Sequence, residues 1–392
     1  MASKFVSLLI FSFLLAMVPK TCLGKKSGLA TFNAIDVCWR RNPNWVNSRE
    51  DIAKCSAGFA GKMINNIGKD VNKYVVTDPS DNAMSPKAGT LRYGMTMVPG
   101  KVWISFQKDM EIKLERTLVV GSYTTIDGRG AIVHITNGCL LLYKVTNVII
   151  HGLRIHHCRS QPASSVMGPG AKLLPMSKMD GDAIRMLGST KVWIDHNTLY
   201  RSEDGLIDVT LGSTNITISN NWFRDHNKVM LLGHDDDFKD DKNMKVTVVY
   251  NRFGPNCHQR MPRVRHGYAH VANNLYLGWE VYAIGGSMSP SIKSESNLFV
   301  APNSGSKQVN SFAPLEWLIL DIHKSSNAGK GIWNFKSVGD VLENGASFNE
   351  TGSGFVKPNY NNEERFPVES GRIVRQLTRS AGALRCQGGS IC

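Results

Sequence analysis

The sequence predicts an all-β chain wound as a parallel β-helix, and three observations carry that prediction. An Asn, any residue, then a large apolar residue recurs at Asn197-Thr198-Leu199, Asn221-Trp222-Phe223, Asn251-Arg252-Phe253, Asn274-Leu275-Tyr276 and Asn297-Leu298-Phe299, with spacings of 24, 30, 23 and 23. Short β-branched runs precede these triplets, most clearly Val192-Trp193-Ile194, Ile216-Thr217-Ile218 and Val246-Thr247-Val248-Val249. No amphipathic helix recurs, and one or two strand signals per period are too few for a four-stranded propeller blade. Rungs stacked at about 4.8 Å align the apolar residues into one continuous core and let successive Asn side chains hydrogen-bond along the stack. The length of 392 residues exceeds the roughly 250–300 at which a single globular core stops growing, which a repetitive domain accommodates.

Taken in order, residues 1–24 read as a secretory signal peptide. Lys4 precedes the apolar run Phe5 to Val18, and Pro19, Cys22 and Gly24 follow, with cleavage after Gly24. The run is shorter than the roughly 20 residues of a membrane span, and no later segment reaches that length. Residues 25–70 form an N-terminal cap segment, in which Asn47-Ser48-Arg49-Glu50 before Ile52 and Ala53 resembles a capped short helix. Residues 71–302 form the β-helix. Its earlier rungs fit more loosely, at Thr124-Thr125-Ile126 and Val148-Ile149-Ile150, with Ala131 and Ile155 in the apolar slot. The 44 residues from Ile155 to Leu199 count as about two periods with an atypical rung between them. Residues 303–392 have no clean period and read as loops and a tail packing on the β-helix. Val374, Leu377, Ala381 and Leu384 predict a helix over 374–384.

Secretion and charge narrow the partners. There are 46 Lys+Arg against 32 Asp+Glu, a formal net charge of +14; without Lys4 and Lys20 the mature chain is 44 − 32 = +12. Such a balance implies an anionic partner. Outside a cell that partner is an acidic polysaccharide rather than nucleic acid, and no membrane association remains once the signal is removed. The compartment also permits disulfides. Loss of Cys22 leaves seven cysteines; proximity in the chain favours Cys38–Cys55, Cys139–Cys158 and Cys386–Cys392, towards the two ends of the solenoid, without fixing the connectivity. Cys257 is then the reduced thiol. The absence of any CxxC pair argues against zinc. Asn215-Ile216-Thr217 and Asn349-Glu350-Thr351 are glycosylation acceptor sequences, the second in a loop and the better placed.

The repeat Asn also serves as a ruler for ionisable residues. Asp204 lies 7 after Asn197, Lys228 lies 7 after Asn221, and Asp208 lies 11 after Asn197. Arg260 and Arg265 lie 9 and 14 after Asn251, and one 24-residue step upstream of Asp204 gives Asp180, with Asp182 two further on. Stacked rungs would bring Asp180, Asp204 and Lys228 onto one outer face, flanked by Asp182, Asp208, Arg260 and Arg265. Four carboxylates so close repel one another unless a cation lies among them, and hard Ca²⁺ with its six to eight oxygen ligands suits them. The acidic run Asp235-Asp236-Asp237 with Asp240-Asp241 lacks the Gly and final Glu of an EF-hand and reads as a solvated loop. His156-His157 reads as a rung corner.

Asp180-Gly181-Asp182-Ala183-Ile184, Val192-Trp193-Ile194-Asp195-His196, Asp204-Gly205-Leu206-Ile207-Asp208 and Arg260-Met261-Pro262-Arg263-Val264-Arg265 stand in the order seen in pectate lyases. From about Cys38 to Pro302 the chain resembles plant members of that family, including pollen-type enzymes known as allergens. The resemblance implies a right-handed, single-stranded parallel β-helix that cleaves de-esterified homogalacturonan by β-elimination to unsaturated oligogalacturonides. It implies Asp180, Asp182, Asp204 and Asp208 as calcium ligands, Lys228 and Arg265 as substrate ligands, and Arg260 as the proton-abstracting base. Asp204 stands where some bacterial relatives carry Glu. Trp193, Asp195 and His196 match a family signature and read as structural.

The chemistry agrees with the residues. The C5 proton of a galacturonate lies α to its carboxylate, so neutralising that carboxylate acidifies the proton, and Ca²⁺, Lys228 and Arg265 supply positive charge. A guanidinium is ordinarily protonated, so base action by Arg260 implies activity that rises above pH 7. Two other functions compete. One is a catalytically weak or inactive polygalacturonate-binding wall protein on the same scaffold, against which the retained Arg260 argues. The other is a polygalacturonase-type hydrolase, which the flanking Lys and Arg residues disfavour. The expected state is a monomer.

Overall fold

The computed structural model describes residues 32–312, 333–352 and 357–392, so the signal-peptide reading of residues 1–24 lies outside the described residues. Among the described residues three parallel sheets wrap a right-handed β-helix: sheet A with ten strands, sheet B with nine and sheet C with eight. Each full turn contributes one short strand to each sheet; in one turn these are Thr190–Asp195 (A), Thr198–Tyr200 (B) and Ile207–Thr210 (C). The inward side chains of sheet A stack in register as Ile104, Ile126, Ile150, Ile194, Ile218, Val248 and Val271. In sheet B, Phe223, Phe253, Tyr276 and Phe299 stack with ring centroids 5.0, 4.7 and 4.4 Å apart. Both rows are buried, so the apolar slot read from the sequence is the core itself.

The repeat asparagines make the sharp corner between sheets A and B. The backbone N–H of Asn197 donates to Oδ1 of Asn221, that of Asn221 to Asn251, that of Asn251 to Asn274 and that of Asn274 to Asn297, at 2.8–2.9 Å. Asp340 takes the place of Asn on the next rung, accepting from the Asn297 N–H at 2.7 Å. Each buried corner amide is thereby satisfied by the rung beyond it.

Several expectations are corrected by this register. Leu199 pairs directly with Ile155, and Val192 with Val148, so the 44-residue interval is one rung carrying an insertion rather than two periods. The insertion includes an antiparallel hairpin, Ser164–Gly168 with Lys172–Met176, whose Val166 packs on Val119 and Leu141 of sheet C. Upstream, Ile135 rather than Ala131 lies opposite Ile155, because the corner at 128–132 is longer than the later Asn corners. The helix expected over 374–384 is a 3₁₀ turn Gly371–Ile373 followed by only Val374–Leu377. Thr378 Oγ1 donates back to Val374 O, and the chain leaves the helix there to run across sheet B.

The N-terminal segment packs along the side of the solenoid. Ile35, Trp39, Trp45, Ile52 and Met63 bury against Trp103, Ile149, Trp193, Tyr250 and Ala272 on the outer face of sheet A. The backbone N–H groups of Phe59 and Ala60 donate to Thr247 and Thr217, and Asn66 reaches Thr125. Gly58, with φ +68, permits this approach, since a Cβ there would lie 2.6 Å from Thr247. The expected short helix is a 3₁₀ helix, Arg49–Lys54, whose Ser48 makes no side-chain cap, while Asn33 caps an additional helix, Ala34–Trp39. The open end of the core is closed instead by helix Leu91–Thr96, with Leu91 and Met95 buried in it.

Disulfides join Cys38 to Cys55, Cys139 to Cys158 and Cys386 to Cys392, and Cys257 is a buried free thiol. The first and third staple segments lying on the outer face of sheet A rather than the solenoid ends, and the second joins the turn between strands Val133–Asn137 and Leu140–Tyr143 to the end of strand Arg154–Cys158. Among the described residues no helix is long and apolar enough to cross a membrane.

Candidate active site

Sheets B and C are joined by loops of variable length, and these loops carry the ionisable residues. Adjacent sheet C strands pair at an offset of 23, Ile184 with Ile207, so Asp182 and Gly205 face one another and the Gly205 N–H donates to Asp182 Oδ1 at 2.7 Å. Gly205 is required by this approach: a Cβ there would stand 2.5 Å from Asp208 Oδ1 and 2.9 Å from Asp182 Oδ1. Asp180, Asp182 and Asp204 present carboxylate oxygens all within 4.8 Å of one another. Asp208, on the outward row of sheet C, faces the same loop from below.

The electrostatics of the cluster are unbalanced. Burial, followed by the charge of Asp204, pushes Asp182 up to about 6. Asp208 is raised well above the carboxylate range by burial and then by Asp182 and Asp204. Beyond Lys228, which the sequence reading placed on the same face, the structure adds a second cation beside these carboxylates. Arg185, the register partner of Asp208, lies 3.0 Å from Asp180 Oδ2 and 3.9 Å from Asp182 Oδ2. A ruler set to 23 rather than 24 residues would have found it. Arg185 and Lys228, whose Nζ lies 3.2 Å from Asp204 Oδ1, set two cations against four carboxylates, and a set of hard oxygen donors from two rungs at this separation fits a divalent cation such as Ca²⁺.

On the next rung, Lys228 Nζ lies 3.2 Å from Asp204 Oδ1. Lys228 pairs with Gln259, which places Arg260 one residue further along the following rung, where its carbonyl accepts from the Met230 N–H at 2.7 Å. Arg260 is mostly buried, has φ +62, and is close enough to Asp208 to act on its charge. Arg265 donates from Nη1 to Gly233 O at 3.1 Å, with Nε 3.4 Å from Asp236 Oδ1. Burial, then the charges of Arg263 and Arg260, lower Arg265 to about 10.

Of the other residues singled out in the sequence, some depart from their reading and some keep to it. The acidic run is only partly solvated: Asp236 is buried against Arg265 and Ser287, and Asp241 accepts from the Gly212 and His234 N–H groups. His226, which no spacing flagged, bonds through Nε2 to the carbonyl of Asp204 and so fixes the loop that bears this carboxylate. Burial lowers it to about 4, so it is the neutral tautomer that donates. A cleft of about 420 Å³ opens beside it, lined by Arg201, Asp204, Asp225, His226, Lys228 and His258. His156 and His157 belong to a sheet B strand, not to a corner. Trp193, Asp195 and His196 are buried beneath the N-terminal segment, where His196 bonds to Asp36 at 2.7 Å. Asn349 is exposed, whereas Asn215 is half-buried and its partner Thr217 is buried under Ala57.

Comparison with known proteins agrees with this architecture. A pectate lyase family model matches residues 44–313. Probable pectate lyase 4 of Arabidopsis thaliana is 49% identical over 366 residues, 92% of this chain and 91% of the relative. Pectate lyase 1 of Juniperus virginiana is 47% identical over 355 residues, 90% of this chain and 94% of the relative. The crystal structure of jun a 1, the major allergen from cedar pollen, superposes with a TM-score of 0.83 at 47% identity, covering 90% of this chain and 99% of that one. A Bacillus pectate lyase in complex with trigalacturonate shares the fold at 20% identity, with a TM-score of 0.54 over 84% of this chain and 98% of that one. With a family model over most of the β-helix and relatives of nearly half identity along nine-tenths of its length, this chain belongs to the pectate lyase family.

Proposed function

We propose that the protein is a secreted, calcium-dependent pectate lyase that cleaves de-esterified homogalacturonan by β-elimination. The observation that carries this is the carboxylate cluster of Asp180, Asp182 and Asp204 beside Asp208, with Lys228, Arg260 and Arg265 on the following rungs. Asp180, Asp182, Asp204 and Asp208 would hold Ca²⁺. Bound there, the ion supplies positive charge that pairs with a galacturonate carboxylate and acidifies the proton at C5.

The chain's own groups perform the remaining work. Lys228 and Arg265 bind substrate carboxylates, and their positive charge favours the enolate-like charge that develops as the proton leaves. Arg260 takes the C5 proton, the C4–C5 double bond forms, and the bond from C4 to the glycosidic oxygen breaks. That oxygen departs with a proton from solvent. Water is not consumed at the sugar, so no carboxylate is needed to activate it. Because a guanidinium must be neutral to accept a proton, turnover rises with pH above 7. His226 holds the Asp204 loop in place through its backbone.

The test is incubation of the protein with polygalacturonate, with and without a chelator, following ultraviolet absorbance of the C4–C5 double bond. Unsaturated products that vanish with chelator support the reading. Saturated products would make the protein a hydrolase, and binding without products would make it a wall-binding protein.

A further inference from the structure

The outer face of sheet B, away from the cluster just described, presents a row of cations on an aromatic support. Arg154, Thr198, Trp222 and Arg252 are register partners on four successive strands, and Tyr200 and Arg224 form the neighbouring row. The Arg224 guanidinium lies 4.0 Å from the Tyr200 ring centroid and 5.2 Å from that of Trp222, and Arg252 lies 5.2 Å from Trp222 on its other neighbour. His156 stacks on Tyr200 at 4.5 Å. Stacking fixes the planes of the guanidinium groups but leaves their charge uncancelled.

Among the described residues this row is only partly neutralised, with the charge of Asp109 acting on Arg154. Among the described residues Arg224 pairs with Asp225, and no carboxylate lies within ion-pair distance of Arg154 or Arg252. Nε of Arg224, Nε of Arg252 and Nη1 of Arg154 are buried without a hydrogen-bond acceptor. The tail at Gly382 and Ala383 packs against Trp222 and Thr198 and accepts from Arg154 Nη2, covering one flank. The Arg224 side chain remains 28% exposed.

We infer that this face is a second, non-catalytic binding strip for acidic polysaccharide, in which Arg224 and Arg252 pair with carboxylates of an extended galacturonan. Arg224 and Arg252 lie on adjacent strands but two residues apart along them, since Arg252 is the register partner of Trp222, and Arg154 lies further along the same face. A planar guanidinium held on a ring meets a carboxylate edge-on with two hydrogen bonds. A linear polyanion with a carboxylate on every sugar therefore matches the strip in charge. The strip rests on the proposed reading of the substrate, and it would hold a long chain on the enzyme between cleavage events.

The experiment uses the intact protein in excess chelator, which silences a calcium-dependent groove, and measures retention on immobilised long polygalacturonate. The wild type is expected to bind, more weakly as salt rises. Arg224→Gln with Arg252→Gln should weaken retention roughly tenfold, while turnover of trigalacturonate with calcium changes less than about twofold. Unchanged retention in that variant, or equal retention on fully methyl-esterified pectin, overturns the strip. Should the variant fail to fold, arginine modification of the wild type with phenylglyoxal decides: Arg224 and Arg252 must be protected by polygalacturonate in chelator, and equal labelling overturns the proposal. A wild type that is retained but never turns over polygalacturonate sinks the catalytic reading instead.

Discussion

Lys228 Nζ and Asp204 Oδ1 stand 3.2 Å apart on adjacent rungs. This contact joins the carboxylate cluster to the cationic half of the site. Both side chains are more than a third exposed, so as an ion pair it contributes no more than about 0–1 kcal/mol. Its importance is positional: a divalent cation at the cluster and a substrate carboxylate at Lys228 would compete for this pairing. Lys228→Ala should therefore leave thermal stability within about 1 kcal/mol while raising KM for polygalacturonate. Steady-state kinetics beside a melting curve check both halves.

Asp208→Asn should have opposite effects on two measurements. Removing one charge from a crowded set relieves the repulsion that Asp182 and Asp204 exert on Asp208, so the metal-free protein should melt higher. Calcium affinity should fall by at least about tenfold, or 1.4 kcal/mol. Calorimetric titration and metal-free melting on one preparation test this; a fall in both would mean that the carboxylate has a structural role instead.

The pH dependence follows from the same carboxylate. Asp182 in the folded protein is raised to about 6 from an ordinary 3.8, so between those values the folded state binds more protons than the unfolded one. Stability of the metal-free protein attributable to this group therefore falls as pH rises through that window. A cation needs the deprotonated form. The melting shift caused by calcium should be small near pH 4–5 and grow up to about pH 7. Melting curves with and without calcium across this range measure it directly, and a constant shift would contradict it.

Arg260→Lys should lower kcat by roughly 10²–10⁴, the usual contribution of a general base, with calcium and polygalacturonate binding little changed. Retained turnover would shift attention to Arg265, whose guanidinium burial and neighbouring arginines already depress to about 10. Rapid-mixing assays at alkaline pH give the required range.

Asn251 tests the corner ladder. It is fully buried and bonds to Ile218 O, Val249 O and Asn274, while accepting from Asn221. Asn251→Ala strands several of these groups at about 1–3 kcal/mol each, so destabilisation of about 3 kcal/mol or more is expected in denaturant unfolding.

The legible part of the sequence was whatever repeats. Asn197, Asn221, Asn251, Asn274 and Asn297 gave away the coil because each must satisfy the next corner amide, and the ruler they form located Asp204, Lys228 and Asp208. What escaped it was set by contacts with no period. Arg185 belongs to sheet C, whose local offset of 23 departs from the ruler. The hairpin at Ser164–Met176 is an insertion, which spacing alone turns into a phantom rung. The N-terminal segment reads as a cap because its apolar residues carry no sign of whether they cover an end or a side. Asp241 reads as a loop charge, since its donors, the Gly212 and His234 amides, are fixed only by the fold.

The course of that N-terminal segment bears on how the chain can be assembled. A coil whose rungs touch only their neighbours can form stepwise, but residues 35–66 bind Thr125, Thr217, Thr247 and Tyr250, spread over many turns. Asn33 meets both Asn220 and the Leu377 carbonyl, and Arg40 meets the Cys392 carbonyl. The part of this segment that is synthesised earliest thus finds its partners only after nearly all of the coil exists. Its docking makes local fraying of any single turn costly to the others, converting a stack of semi-independent layers into one cooperative unit that opens slowly and exposes little to proteases.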